Sequence, residues 1–352
     1  MKPRNDLTLI DGYHSPQLDV KVRLNTNESP YPPPEAWLDA YLDELRTLDL
    51  HRYPDRDANA LRVAIGELHG FGPEHVFVAN GSNEVLQSLC LAYGGAGRTV
   101  AVFEPTYALH SHIARITGTG VAVGERTDDY TLDTDEVERV LREASPAITF
   151  LCSPNNPTGM VEPPALVEAV LAAAPGLVVV DEAYGQFAPR SLVGEVSDAP
   201  ERHLVVTRTF SKTWALAGLR LGYCVAPADV VRALEQVALP YHVDAAKQVA
   251  GRVALRFGAE MEARVASLVE ERGRLTAALA ELPVEVWPSG ANFVLFRPGP
   301  VDGATVWQGL VDRSVLVRNC AAWPRLDGCL RVTVGTPEEN DAFLKALSEV
   351  LS

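Results

Sequence analysis

The chain has 352 residues, 47% of them apolar and 22% charged, with a formal net charge of −15. That length supports a large core and two structural domains, and the composition is ordinary for a globular protein. The acidic balance argues against nucleic acid or an anionic membrane as partner, since both need a basic surface; it leaves room for a local arginine cluster that holds one phosphorylated ligand. The five cysteines, Cys90, Cys152, Cys224, Cys320 and Cys329, are odd in number and show no CxxC spacing. This fits a reducing compartment and argues against a disulfide or zinc scaffold. No apolar segment follows Met1-Lys2-Pro3-Arg4, and no run approaches the length of a membrane span. The expected location is the cytoplasm.

The first thirty-odd residues read as irregular, ending in the proline-rich Ser29-Pro30-Tyr31-Pro32-Pro33-Pro34. Such a segment cannot form a core alone and is expected to lie as an arm on another surface, such as a neighbouring subunit. Helices are expected over 35–45 and 58–69, with a proline loop at His51-Arg52-Tyr53-Pro54-Asp55 between them. The middle alternates short apolar runs with amphipathic stretches. Strands are expected at 76–79, 99–103, 147–152, 177–180, 204–207 and 222–226, with helices such as 83–92 and 164–174 among them. This alternation predicts an α/β fold with a mostly parallel sheet covered by helices on both faces, in which ligands bind beyond the carboxyl ends of the strands. From Val243 to Arg274 one or two long helices are expected. Strands at 284–287, 293–296, 315–317 and 330–334 and helices at 303–312 and 338–351 then predict a smaller α+β domain. The boundaries are 35–242 for the large domain, and 1–34 with 243–352 for the small one.

Four strings stand at or just after the predicted strand ends. Gly81-Ser82-Asn83-Glu84 follows a strand and opens a helix, where unpaired amides and the helix dipole favour an anion; Ser82 or Asn83 could equally serve as an ordinary cap. Ser153-Pro154-Asn155-Asn156-Pro157-Thr158-Gly159 follows another strand. Asp181 ends an apolar run in Asp181-Glu182-Ala183-Tyr184. A buried carboxylate is costly without a cationic partner; the alternative is a turn or cap aspartate. Lys212 sits in Thr209-Phe210-Ser211-Lys212-Thr213-Trp214-Ala215-Leu216-Ala217-Gly218-Leu219-Arg220. A lysine is nucleophilic only when neutral, and a nearby cation such as Arg220 lowers its pKa. Arg331 lies inside the apolar strand Leu330–Val334, where its planar fork suits a buried carboxylate or phosphate; a structural ion pair is the other reading.

In that order, and together with Leu24-Asn25-Thr26-Asn27-Glu28 and Arg331-Val332-Thr333-Val334-Gly335-Thr336-Pro337-Glu338-Glu339-Asn340, these strings resemble the fold-type I pyridoxal-phosphate enzymes of the aspartate aminotransferase superfamily. The likeness spans nearly the whole chain and is greatest to the histidinol-phosphate aminotransferases. It implies pyridoxal 5'-phosphate as cofactor, with Lys212 as the Schiff-base lysine and Asp181 keeping the ring nitrogen protonated, so that the ring acts as an electron sink. It implies Tyr184 and Asn156 near the ring oxygen, Tyr107 stacked on the ring, and Ser82, Asn83, Ser211 and Arg220 on the phosphate. It implies Tyr53 reaching the cofactor of the other subunit in a homodimer, with the N-terminal arm packed on the small domain. Arg331 would take the substrate carboxylate or the equivalent phosphate end, and Arg318 with Tyr13 of the neighbour the phosphate of histidinol phosphate. The implied reaction takes histidinol phosphate and 2-oxoglutarate to imidazole acetol phosphate and glutamate, a step of histidine biosynthesis.

Two places depart from the family pattern. Trp214 is larger than the usual residue and is expected to alter the pocket wall. After Arg318 the chain reads Asn319-Cys320-Ala321-Ala322-Trp323, which is faintly similar to the related threonine-phosphate decarboxylases. An aminotransferase for aromatic or other amino acids, a threonine-phosphate-type decarboxylase, and a non-catalytic cofactor-binding regulator stay open as alternatives.

Overall fold

The structure, a computed structural model, describes Met1 and residues 17–199 and 203–352. Eight strands precede the long helices: β1 (Val22–Leu24), β2 (Val76–Ala79), β3 (Thr99–Glu104), β4 (Gly120–Glu125), β5 (Ile148–Cys152), β6 (Leu177–Asp181), β7 (Leu204–Thr209) and β8 (Gly222–Val225). Four follow them: β9 (Val284–Val286), β10 (Phe293–Pro298), β11 (Val315–Asn319) and β12 (Leu330–Thr333). They form a seven-stranded sheet in the order β2-β8-β7-β6-β5-β3-β4 and a five-stranded sheet in the order β1-β11-β12-β10-β9.

In the large sheet β8 is antiparallel to both of its neighbours, β2 and β7; the remaining pairs are parallel. The strands bury both faces, as an α/β sheet requires. Along β6, Val178 and Val180 join the core on one face, while Leu177 and Val179 join the core on the other. A separate core fills the smaller unit, where Phe293, Phe296 and Val332 of the five-stranded sheet meet Leu268, Leu275 and Leu279 of the helix Gly258–Ala280.

Several elements go beyond those named from sequence, among them the helices Leu109–Ile116 and Ala228–Val237. The N-terminal segment is not wholly irregular: β1 adds a parallel edge to β11, with Arg23 opposite Leu316. β4 was not expected; it is an edge strand in which Gly124 alone is buried, so its apolar signal is faint. The helix Thr134–Ala144 was not expected either, although Asp133 caps it by accepting from the Asp135 amide and Val137, Val140 and Leu141 are buried. The final helix, Pro337–Leu351, starts from a capping box of Thr336 and Glu339.

The sheet geometry sets what can meet. Because β8 runs against its neighbours, the carboxyl ends of β2, β3, β5, β6 and β7 share one edge with the amino end of β8. Residues after the first five strands therefore meet the turn that leads into β8. The approach there is close. A Cβ on Gly222 would run into the Ser82 amide nitrogen and lie 2.6 Å from the Gly81 carbonyl carbon. Gly222→Ala should therefore lower stability by about 1–3 kcal/mol, as overpacking does, read as a fall in urea midpoint at unchanged slope. Gly194, where an added Cβ meets nothing within 4 Å, is the neutral control. Equal midpoints for the two variants would contradict this packing.

Candidate active site

A cavity of about 320 Å³ opens at that sheet edge. Its wall includes Ser82, Asn83, Tyr107, Asn156, Asp181, Tyr184, Ser211, Lys212, Arg220 and Arg331. Ten of the thirteen side chains expected from sequence thus come together. Three do not. Tyr53 is 80% exposed and stacks on Tyr241 outside the cavity, with ring centroids 4.5 Å apart. Arg318 is buried but off the cavity wall, its guanidinium 5.0 Å from the Trp323 ring centre. Tyr13 lies outside the described residues.

Lys212 follows β7 and is partly enclosed. Its amine donates to the Thr26 carbonyl at 3.0 Å and lies 5.8 Å from the centre of the Tyr184 ring. Its pKa is lowered from the ordinary lysine range to about 7. Loss of water is the first cause and the Arg331 charge the second; Glu28 opposes them, and Arg220 adds a smaller push downward. The sequence reading named Arg220 for this role. Arg331 carries more of it, a contribution hidden in sequence because it comes from the other sheet.

Asp181 ends β6 and is 1% exposed. One carboxylate oxygen accepts from the Thr207 hydroxyl and the Ala183 amide, each at 3.1 Å. The other pairs with His110 Nε2 at 3.1 Å. The carboxylate expected to need a cationic partner thus also has protein partners, His110 among them. His110 is itself held flat against Phe150, with ring centroids 4.7 Å apart. Sequence reasoning missed His110: it lies in the helix Leu109–Ile116, far from Asp181 along the chain, with no motif to mark it.

The helix Ser82–Tyr93 points its amino end at the cavity, entered through Gly81 at φ 87°, a left-handed conformation that suits glycine. Arg220 Nη1 lies 3.3 Å from the Ser211 hydroxyl, to which it donates. Thr209, also on the wall and not singled out from sequence, donates to Ser211 at 3.0 Å. Gly81 keeps this group tight, since a Cβ there would sit 2.8 Å from Arg220 Nη2. Helix amides, two hydroxyls and a guanidinium form an anion cradle. The donor set fits the cofactor implied by sequence: a cradle for its phosphate, a buried carboxylate for its ring nitrogen, and a lysine amine for its aldehyde.

Arg331 of β12 is 2% exposed and packs on the Phe293 ring at 5.0 Å. It donates to the Asn25 carbonyl at 3.1 Å and to the Asn156 side-chain oxygen. Arg318 stands directly opposite Arg331 in the β11–β12 ladder. Asn27 donates through Nδ2 to the Tyr184 hydroxyl at 3.0 Å, and Tyr107 donates to Asn83 at 3.1 Å. Residues 25–28 thus run across the cavity as a strap that touches Arg331, Lys212 and Tyr184. Trp214, expected on the pocket wall, lies instead in the core against Phe210, ring centroids 5.7 Å apart. Its bulk does not shape the cavity.

Comparison with known proteins accords with this geometry. The family model of aminotransferase class I and II matches residues 19–347. The chain belongs to that family. It is 44% identical to the histidinol-phosphate aminotransferase of Mycobacterium marinum over 99% of this chain and 92% of that one. It is 45% identical to the enzyme of the same name from Frankia casuarinae, over 99% and 90%. Among solved structures, the histidinol-phosphate aminotransferase of Sinorhizobium meliloti in complex with pyridoxal-5'-phosphate shares the fold, with a TM-score of 0.89 at 23% identity over 99% of this chain and 97% of that one. No helix of the described residues is long and apolar enough to cross a membrane.

The lowered pKa has a direct consequence. Lys212 should be labelled by an amine-specific reagent in the apoprotein with a rate that rises through a midpoint at about pH 7 and levels off above it. Peptide mapping measures this. A midpoint near about 10, the ordinary lysine value, would contradict the enclosure described.

Proposed function

We propose that the protein is a pyridoxal-phosphate-dependent aminotransferase that converts histidinol phosphate and 2-oxoglutarate to imidazole acetol phosphate and glutamate. One observation carries the chemistry: a lysine poised near neutrality shares a cavity with a buried, hydrogen-bonded aspartate and a buried arginine. Full-length identity to enzymes named for histidinol phosphate supports the substrate.

The bound cofactor supplies an electron sink for the bond broken at the amine-bearing carbon. The side chains do the rest. Lys212 Nζ would hold the cofactor and, once the substrate amine has displaced it, take the proton from the substrate carbon and deliver it to the cofactor's exocyclic carbon, as base and then acid. Asp181 would keep a proton on the ring nitrogen, oriented by His110. Asn156, fixed by Arg331, and Tyr184, fixed by Asn27, would hydrogen-bond the ring oxygen. Tyr107 would cover the ring, and Ser82, Asn83, Ser211 and Arg220 would hold the phosphate. Arg331 binds the carboxylate of glutamate or the equivalent end of the other substrate. Arg318, its ladder neighbour, lies off the cavity wall against Trp323 and would have to turn from that ring to take the substrate phosphate with Tyr13 of a second copy.

The 35–242 unit, whose core also takes in Val249, Ala250 and Val253 of the helix Ala245–Ala254, would hold the cofactor, and the remainder would close over the substrate. The enzyme works in the cytoplasm as a homodimer, with Tyr53 serving the neighbour's cofactor. Its exposure and stacking on Tyr241 support that role, since neither ring is used by its own cavity. Sedimentation of a fully active monomer would contradict the dimer.

Histidinol phosphate should discharge the absorbance of the lysine-bound cofactor in a single turnover. Arg318→Ala should weaken histidinol phosphate by about 2–5 kcal/mol, the cost of breaking a buried charge pair, and glutamate far less. Discharge by an unphosphorylated aromatic amino acid, with none by histidinol phosphate, would overturn the substrate and leave the aminotransferase.

A further inference from the structure

The roles above leave one charged side chain of the cavity wall without a task. Glu28 ends the strap and lines the same cavity as Lys212 and Arg331. The backbone just before it is held firmly. The Asn27 amide donates to the Thr333 hydroxyl at 3.0 Å, and the Asn27 carbonyl accepts from Asn292 Nδ2 at 3.2 Å. The carboxylate itself is loosely engaged. Among the described residues its ion-pair partner is Arg23, 3.7 Å away with a side chain 60% exposed, too distant for a hydrogen bond.

A carboxylate only accepts hydrogen bonds. Lys212, Arg220 and Arg331 give the cavity its donors, and they draw the anionic groups of cofactor and substrate. Asp181 is committed to His110, Thr207 and the Ala183 amide. Glu28 is the carboxylate left to meet a donor on the ligand's own side chain. We propose that Glu28 is a specificity residue that accepts a hydrogen bond from the ring N–H of an imidazole-bearing amine substrate, an inference that rests on the substrate class proposed above.

The chemistry discriminates. Imidazole always presents at least one N–H, and two when protonated. An alkyl or phenyl side chain presents none; it would strip water from Glu28 without replacing the lost hydrogen bond. Selection thus comes from the penalty on wrong ligands as well as from attraction to the right one.

The test measures binding to the holoenzyme after borohydride reduction, which cannot turn over, by titration calorimetry. The ligands are histidinol phosphate and 2-aminopropyl phosphate, the same molecule without the ring. Wild type should prefer the ring-bearing ligand. Glu28→Gln, equal in size but uncharged, should cut that preference several-fold, because its amide oxygen still accepts but without the charge, and Glu28→Ala should cut it on the order of tenfold or more, the usual worth of a hydrogen bond to a charged group. Glu28→Asp should restore part of it. An unchanged preference in Glu28→Gln overturns the proposal while leaving the substrate reading intact. Equal weakening of both ligands also overturns it, because Glu28 would then act through the charge on Lys212. Failure of wild type to bind histidinol phosphate overturns the substrate reading and this role with it.

Discussion

Lys212 must be able to lose its proton near neutral pH, and that demand organises the cavity around it. Water alone would keep the amine charged up to about pH 10.4. Enclosure removes the water, and the Arg331 and Arg220 charges make a third cation unwelcome. The Thr26 carbonyl accepts from the amine without adding a full negative charge, so it positions the group and does not lock it in the charged form. Glu28 works the other way and keeps the shift moderate. The same arginines that make the lysine reactive are those suited to bind an anionic substrate, so one electrostatic arrangement serves both ends of the reaction.

That arrangement is assembled from two sheets. The large sheet contributes Asp181, Lys212 and the anion cradle from one edge, made common by the single antiparallel strand β8. The five-stranded sheet contributes Arg331 from β12, and the strap at residues 25–28 joins the two. Asn25 receives Arg331, Thr26 receives Lys212, and Asn27 reaches both Tyr184 and Thr333. A shift of the strap would therefore move the lysine, the tyrosine and the arginine together.

How much of this the sequence reveals depends on whether a feature needs particular residue types in a local string. Gly81, Asp181, Ser211 and Lys212 are legible because each sits at a strand end where few residue types would do the same work. Edge strands are not. β4 runs Gly-Val-Ala-Val-Gly-Glu with mixed burial, and β1 has too few residues to show a period. The helix Thr134–Ala144 was legible in principle, from the Asp133 cap and the Val137, Val140, Leu141 spacing, but its many charged residues hid the apolar stripe. His110 and the influence of Arg331 on Lys212 come from contacts distant along the chain, which no local string encodes. Trp214 shows the opposite error: a large residue next to the lysine reads as pocket wall, yet the chain turns it into the core against Phe210.

Lys212 is proposed as the one amine that holds the cofactor. Borohydride reduction of the pyridoxal-phosphate-loaded protein, followed by digestion and mass spectrometry, tests this most directly. The pyridoxyl group should be found on Lys212 alone, and Lys212→Ala should leave no reducible attachment. A label on another lysine, Lys247 for example, in wild type or in that variant, would contradict the account.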